Sequence, residues 1–130
     1  MYNEILNCIN NNSRIICWDN AEGQISHMIK LYLSQNAISN KIIIDMKDNI
    51  DFIRSNLIIN ESVKMVPYQS DTEIAEVLQD VVKKNKDFIL IAKPTFNVNK
   101  ASEVFDISIE INDKEAFVIN RLSKETVVII

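Results

Sequence analysis

The sequence has a single glycine, Gly23, among 130 residues, and this scarcity excludes whole classes of nucleotide site. A phosphate-binding loop needs several backbone amides curled around the phosphate, with a lysine and a hydroxyl that supply charge and hold magnesium. Here Asp19 and Glu22 precede Gly23, and no lysine follows it before Lys30. Catalysis by a phosphate-binding loop is therefore excluded, and so is a dinucleotide fingerprint, which requires several glycines.

Histidine and cysteine are almost as scarce. His27 is the only histidine, which excludes sites that need two imidazoles, and we expect it to be a surface or half-buried residue rather than a general base. The two cysteines, Cys8 and Cys17, lack the spacing of a disulfide framework or a metal site. Cys17 lies inside an apolar run and is predicted to be a reduced core thiol. We expect no resident cofactor.

Basic charge and long hydrophobic runs are also lacking. The formal net charge of -4 argues against a nonspecific nucleic-acid binder, which normally carries a basic surplus. A cluster at Lys83, Lys84 and Lys86 is predicted at a helix end, where cations complement the helix dipole. The apolar runs are too short for a membrane span, and residues 1–4 lack the basic region of a signal peptide. These features favour a cytoplasmic protein without nucleic-acid or membrane partners.

Apolar side chains, by contrast, are abundant. Hydrophobic residues make up 47% of the chain, and the prominence of isoleucine suits strands that are buried on both faces of a sheet. A chain of this length fits one domain, and no linker or repeat divides residues 1–130. Because glycine is so scarce, asparagine is expected at many turns, since it tolerates left-handed backbone angles.

Hydrophobic periodicity predicts an alternation of helices and strands. Helices are predicted at residues 2–9, 22–35, 48–57, 71–82 and 101–105. Strands are predicted at residues 14–19, 41–45, 63–66, 87–92, 107–111, 116–120 and 126–130. Asp48 or Asn49 is expected to cap the third helix and Asp71 the fourth. Pro67 is expected to stop the third strand.

This order predicts an α/β fold, a three-layer sandwich with a mostly parallel sheet between helices. Early strands that alternate with helices form parallel pairs through right-handed crossovers. The last strands lack intervening helices and are expected to be antiparallel at one edge, with a hairpin at Asn112 and Asp113. The final strand, TVVII, is apolar on both faces. It is therefore either an inner strand or an edge hidden by a partner.

The carboxyl ends of the parallel strands are where such folds bind ligands. This ligand or partner edge is expected to gather residues 19–24, 45–48, 67–70 and 93–97. Its candidate site residues are Asp19, Asn20, Glu22, Asp45, Asp48 and Lys93. The carboxylates of Asp19, Asp45 and Asp48 could hold a magnesium ion through their oxygens. The alternative interpretation is that polar residues simply end strands. Trp18, the only tryptophan, is expected to pack in the core, on the opposite face of the sheet from Cys17.

The chain resembles the RecA-like ATPase core, the broad group that includes the KaiC and RadA recombinase families. The likeness lies in the strand, loop and helix of residues 14–35, the strand that ends at Asp45, and the tail strands DISIEI, AFVINR and TVVII. In that family the acid that ends the second strand activates the attacking water, and Asp45 matches it. The lysine-bearing phosphate loop is absent, and DFILIA ends at Lys93 where the family has a magnesium-binding acid. The resemblance implies a degenerate, non-hydrolysing relative.

A second resemblance is to the response-regulator receiver domain, through Asp19 and the pair Lys93 and Pro94. In that family the phosphorylated aspartate ends the third strand, where this chain has Met65, Val66 and Pro67. Three hypotheses follow. The first is a noncatalytic RecA-like module, a protein-binding or regulatory subunit that acts beside a true ATPase or associates with its own copies. The second is a small magnesium-dependent enzyme of phosphoryl transfer or phosphodiester cleavage. The third is a receiver-like signalling domain without a phosphoacceptor.

Overall fold

The chain alternates helices and strands before it ends in a run of strands. A computed structural model describes residues 1–19, 24–35, 40–56, 63–93, 96 and 104–130. The helices are α1 (Tyr2–Asn10), α2 (Gln24–Gln35), α3 (Lys47–Asn56) and α4 (Asp71–Lys83). The strands are β1 (Arg14–Asp19), β2 (Ile42–Met46), β3 (Met65–Tyr68), β4 (Phe88–Ile91), β5 (Ile107–Ile111), β6 (Ala116–Asn120) and β7 (Thr126–Ile129).

The strands form one mixed sheet in the order β3-β2-β4-β1-β5-β6-β7. The pairs from β3 across to β5 are parallel, and β6 and β7 each run antiparallel to the preceding strand. The predicted α/β class, with antiparallel strands at its C-terminal end, is confirmed. β5 itself runs parallel to β1, because the long connection from β4 lets the chain cross over before β5, whereas only short turns separate β5, β6 and β7.

Helices cover both faces of the sheet, which makes the predicted three layers. We call the side covered by α1, α2 and α3 the first face and the side covered by α4 the second face. Alternate strand residues point to opposite faces, so buried Cys17 joins the core of the first face while Trp18 packs on the second, as predicted. The first face buries, among others, Ile15, Ile43, Ile89 and Ile109. The second buries Ile16, Ile44, Phe88 and Leu90.

The start of α3 differs from the prediction. The helix begins at Lys47, directly after β2, so Asp48 and Asn49 lie in its first turn and neither caps it. The Asp45 carboxylate instead accepts a hydrogen bond from the Met46 backbone N–H and another from the Asn49 side chain. The predicted cap was too late in the sequence. The carboxylate that accepts hydrogen bonds at the start of α3 belongs to Asp45, in the preceding strand.

The cap of α4 is also one residue earlier than predicted. The Ser70 hydroxyl accepts a hydrogen bond from the Glu73 N–H at 3.3 Å, and the Glu73 carboxylate accepts one from the Gln69 N–H at 3.0 Å. This reciprocal pair resembles a capping box, which serves two donors at once, whereas Asp71 is already helical. The predicted apolar stripe is present, with Ile74, Leu78 and Val81 buried and Val77 and Val82 partly buried.

The expectation that Pro67 stops the third strand was wrong, because Pro67 lies within β3, opposite Asp45 of β2. β3 is an edge strand, and the Lys64 carbonyl accepts a hydrogen bond from the Ile43 N–H at 3.0 Å. Since successive residues direct their backbone groups to alternate sides, Pro67 directs its nitrogen away from β2. A proline there removes no hydrogen bond of the sheet.

Among the described turns, left-handed backbone angles occur at an asparagine, as expected, and at a lysine. Asn85, after α4, has a φ of 52°, and Lys124, between β6 and β7, has a φ of 64°. The hairpin at Asn112 and Asp113 is present, closed by a hydrogen bond from the Asn112 N–H to the Glu115 carbonyl. The predicted helix at residues 101–105 lies mostly outside the described residues. Of the helices that the structure describes, none has the length and apolar character to cross a membrane.

Candidate functional site

The six candidate residues of the predicted ligand edge differ in their burial and in whether the structure describes them. Asp45 is buried within β2, Asp48 is exposed in the first turn of α3, and Lys93 is half-buried just after β4. Asp19 is the last residue of β1, with a side chain that lies outside the description. Asn20 and Glu22 lie outside the described residues. Among the described side chains of this set, Asp45 alone is buried.

Asp45 is an internal carboxyl with hydrogen bonds to its own chain. Its side chain is 2% exposed, and its Oδ1 accepts from the Met46 N–H at 2.7 Å and from the Asn49 Nδ2 at 3.1 Å. Burial raises the pKa of Asp45 to about 6, although both hydrogen bonds favour the charged form. Burial also raises the pKa of Cys17, and the Asp45 charge adds to that effect. The described contacts of Asp45 make it an anchor between β2 and α3.

A shallow recess lies beside Asp45, at the carboxyl ends of β2 and β3. Its volume is about 220 Å³, and it is lined by Met46, Lys47, Asp48, Tyr68 and Gln69. Ligand pockets usually measure about 300–1,000 Å³, so this recess is small for a nucleotide. Lys47, which lines the recess, forms an ion pair with Asp51 of the same helix, with 3.4 Å between its Nζ and the Asp51 Oδ2.

Tyr68 lies in residues 67–70, which were expected at this edge, but its buried contact was not predicted. Its ring is buried on the second face, and its hydroxyl donates a hydrogen bond to the Ile91 carbonyl at 2.5 Å. Burial raises the pKa of Tyr68, with smaller contributions from the charges of Asp45 and Asp71. The contact passes from β3 over β2 to β4, so no spacing in the sequence signals it.

The proposed magnesium ligands, Asp19, Asp45 and Asp48, are only partly described. Within residues 1–19, 24–35, 40–56, 63–93, 96 and 104–130, leaving out the undescribed side chains, no three His, Cys, Asp or Glu residues group as metal ligands would. Since the Asp19 side chain belongs to the undescribed set, the trio as a whole stays a prediction.

The histidine, the lysine cluster and the cysteines that were discussed from the sequence have the following positions and contacts. His27 is exposed on α2, and its ring centroid lies 4.9 Å from that of Tyr2 in an edge arrangement. The lysine cluster lies at the end of α4, as predicted, and Lys84 pairs with Asp80 at 3.1 Å. Both cysteines are free thiols, with Cys17 buried.

The sheet presents a second candidate region at its other end, along β7. This strand is the last in the sheet order and pairs with β6. Val127 is 57% exposed and Val128 48% exposed, whereas Ile129 is 8% exposed and joins the core of the first face. The final strand is therefore an edge and not an inner strand, and within the described part of the chain its valines have little cover.

The backbone of β7 offers hydrogen-bonding groups to the outside. The Asn120 N–H donates to the Glu125 carbonyl at 2.9 Å, which marks these opposed residues as a hydrogen-bonded pair of the antiparallel ladder. Because such pairs alternate with pairs that are not hydrogen-bonded, Val127 and Ile129 direct their N–H and C=O groups toward β6. Thr126 and Val128 direct theirs away from the sheet.

The two ends of the sheet thus differ in what they offer. At the carboxyl ends of β2 and β3, a buried carboxylate is engaged with its own chain beside a small recess. At β7, exposed valine side chains lie beside backbone N–H and C=O groups that point away from the sheet. Comparisons of the chain with protein-family models, with curated proteins and with solved structures found no match.

Proposed function

We propose that this protein is a noncatalytic α/β subunit that binds another protein chain along the outer edge of β7. The observation that carries the proposal is the combination at that edge of exposed valines and outward-directed backbone groups. A degenerate RecA-like subunit that works beside a true ATPase, or with its own copies, is the concrete form of the proposal. It follows the resemblance in the strand order at the start of the chain and in its three tail strands.

Strand addition is the binding mode that this edge favours. In that mode an extended segment of a partner joins the sheet, the main-chain hydrogen bonds supply affinity, and alternate side chains supply specificity. Exposed edges are usually protected by charges, prolines or bulges. The β7 segment, Thr126–Ile129, contains no charged residue and no proline, so nothing in its side chains opposes an added strand.

The surroundings of Asp45 support the noncatalytic part of the proposal. In the RecA-like families, the acid at this place activates an attacking water, which requires that it reach the substrate through a hydrogen bond or one water. In this chain the carboxylate is buried, and its Oδ1 accepts two internal hydrogen bonds. We interpret Asp45 as a structural residue that joins β2 to α3.

Affinity purification from the native host tests the binding function. The bait is the full chain, either as wild type or as Val128→Lys, which puts a charge at the centre of the edge. Leu122→Lys is the matched control, because Leu122 is 94% exposed but lies in the turn before β7. We expect wild type and Leu122→Lys to retain a partner, either an ATPase subunit or the chain itself, that Val128→Lys loses. Equal recovery by all three baits would contradict the proposal.

Nucleotide and metal titrations test the noncatalytic part. We expect a fluorescent ATP analogue to show no binding in the presence of magnesium, and we expect no release of phosphate from ATP. ATP hydrolysis that is lost in Asp45→Asn would contradict the proposal and restore the enzymatic hypothesis. Magnesium binding at millimolar concentration by calorimetry would favour the magnesium-dependent enzyme. A chemical-shift response to beryllofluoride would contradict the receiver-like hypothesis, because a domain without the acceptor aspartate should show none.

A further inference from the structure

We infer that the strand added at the β7 edge is β7 of a second copy of this chain, antiparallel to the first and related to it by a twofold axis. Two seven-stranded sheets would then continue into one. The inference rests on the proposed function and names its partner. It is carried by the match that this strand makes with itself, residue by residue.

The backbone geometry limits how two copies of β7 can pair. The outward groups belong to Thr126 and Val128, and by alternation to Ile130, so these residues must form the hydrogen-bonded pairs across the new seam. A twofold axis perpendicular to the sheet reverses the strand direction and keeps each face of the sheet continuous across the seam. Opposed residues must then lie on the same face, which leaves registers centred on a single residue.

The register centred on Val128 opposes no charged side chain within residues 126–130. Val128 of one copy lies opposite Val128 of the other, Val127 lies opposite Ile129, and Thr126 lies opposite Ile130. All five residues from 126 to 130 take part in this seam. Aliphatic β-branched pairs of this kind are among those that stabilise a sheet.

The neighbouring registers are worse for identifiable reasons. Centring on Val127 sets the Glu125 side chain opposite Ile129, which belongs to the core of the first face. Centring on Thr126 sets Glu125 opposite Val127 and Lys124 opposite Val128. Of the described residues, centring on Ile129 pairs only 128–130 of each strand. Of the registers that oppose no charged side chain, the one centred on Val128 therefore pairs more of the described residues.

Apolar rows that already cross β6 and β7 continue through this seam. On the second face, Phe117 lies opposite Val128, so the row becomes Phe117, Val128, Val128 and Phe117 over four strands. On the first face, Val118 lies opposite Val127 and Ala116 opposite Ile129, and the seam joins these two pairs. A second copy therefore supplies apolar partners on both faces, and no charged side chain lies within residues 126–130 of the seam.

The expected dimer is weak. Stable interfaces bury about 1,200–2,000 Å² in total, and a seam of five residues per strand is at the lower end of that scale or below it. We expect the dimer to dissociate on dilution, with a dissociation constant on the order of micromolar to millimolar. The measurement must therefore cover protein concentrations across that range.

Sedimentation equilibrium on the full chain, with five samples, tests the inference. The samples are wild type, Val128→Lys, Val128→Glu, an equimolar mixture of these two variants, and Leu122→Lys. We expect wild type and Leu122→Lys to approach twice the monomer mass as concentration rises. Each Val128 variant alone stays monomeric, because like charges meet at the twofold axis. The mixture dimerises, since lysine of one copy then meets glutamate of the other.

Circular dichroism confirms the fold of each variant, which is expected to survive because Val128 is half-exposed. Wild type that stays monomeric throughout the range overturns the inference, and so do Val128→Lys and Val128→Glu samples that each dimerise alone. Dimeric wild type with no recovery in the mixture overturns the register centred on Val128.

The experiment also separates this inference from the proposed function. Monomeric wild type, combined with a different host protein that Val128→Lys fails to retain, contradicts the second copy and leaves the binding function of the edge intact. Monomeric wild type without any such protein contradicts both.

Discussion

The two edges of the sheet have opposite designs. At β3, Pro67 occupies an outward backbone position, so the middle of that edge lacks a hydrogen-bond donor. At β7 the corresponding outward residues are Thr126 and Val128, which keep their donors. The outward side of β3 resists an added strand, and the outward side of β7 admits one.

Within one molecule, one edge of the sheet is thus protected against a further strand and the other is not. Sheet edges risk aggregation, and proline is one of the usual means of blunting them. A chain that blunts one edge and leaves an apolar strand at the other has an asymmetric surface. Such an asymmetry favours end-to-end pairing of two copies at β7 and opposes the growth of an open-ended stack through β3.

The largest effect is expected from the residue that attaches the open edge to the core. Ile129→Ala removes a buried side chain of β7 and is expected to lower the free energy of unfolding by about 3 kcal/mol. Val127→Ala, on the same face of the same strand but at a side chain that is 57% exposed, is the matched control and is expected to lower it by less than about 1 kcal/mol. Urea unfolding at concentrations where the wild type is monomeric measures both. Equal losses would show that β7 is held in some other way.

The next effect concerns Asp45, which lies opposite Pro67 and supports the closed edge from β2. Its pKa in the folded protein is about 6, above its ordinary value of 3.8, so the folded state holds the proton more tightly than the unfolded state does. The free energy of unfolding therefore falls as pH rises from about 4 through about 6, by about 3 kcal/mol in total.

Asp45→Asn tests this pH dependence. The variant keeps an acceptor oxygen for Met46 and Asn49 but does not titrate, so its stability should lack this fall. Urea unfolding of wild type and variant at pH 4 and pH 7.5 gives the comparison. A difference between the two proteins that is the same at both pH values would contradict the prediction.

A smaller effect is expected from the hydroxyl that ties the closed edge to the middle of the sheet. Tyr68→Phe removes the hydrogen bond to the Ile91 carbonyl and leaves that buried acceptor without this donor, at a cost of about 1–3 kcal/mol. Tyr2→Phe, at the other side of the molecule, is the control and should change stability by less than about 0.5 kcal/mol. Thermal or urea unfolding distinguishes them, and indistinguishable variants would show that the Tyr68 hydroxyl adds nothing.

Pro67→Val is expected to have the smallest effect on stability. It is also the most direct test of the contrast, because it should make the β3 edge resemble the β7 edge. The substitution restores an outward N–H on β3 and should change the free energy of unfolding by less than about 1 kcal/mol. In a Val128→Lys background, which silences β7, we expect it to introduce a weak concentration-dependent association. Sedimentation equilibrium detects that association. A monomer throughout would mean that proline is not what closes β3.

Residue patterns predicted most of the fold because its elements are strongly marked. Isoleucine runs bounded by polar residues define the strands, and the apolar stripe of α4 defines that helix. Pro67 was interpreted wrongly because a proline stops an inner strand but is tolerated on the outward side of an edge. Chain order alone does not reveal which strand is an edge.

The candidate site was harder to predict, for a related reason. The burial of Asp45 and the contact from Tyr68 to Ile91 both depend on β2 lying between β3 and β4, an order that follows from long-range pairing. The β7 edge was half predicted. From its apolar composition, the strand could be either an inner strand or an edge hidden by a partner. The strand order of the sheet shows that it is an edge.

The pairing of β1 has a consequence for how the chain is synthesised. β1 is made early, yet both of its neighbours come much later, since Arg14 pairs with Phe88 and Ile15 with Ile107. A nascent chain must therefore hold the apolar residues of β1 without these strand partners until β4 and β5 have left the ribosome. Folding dominated by such distant contacts is slow, and its intermediates expose surfaces on which chaperones act.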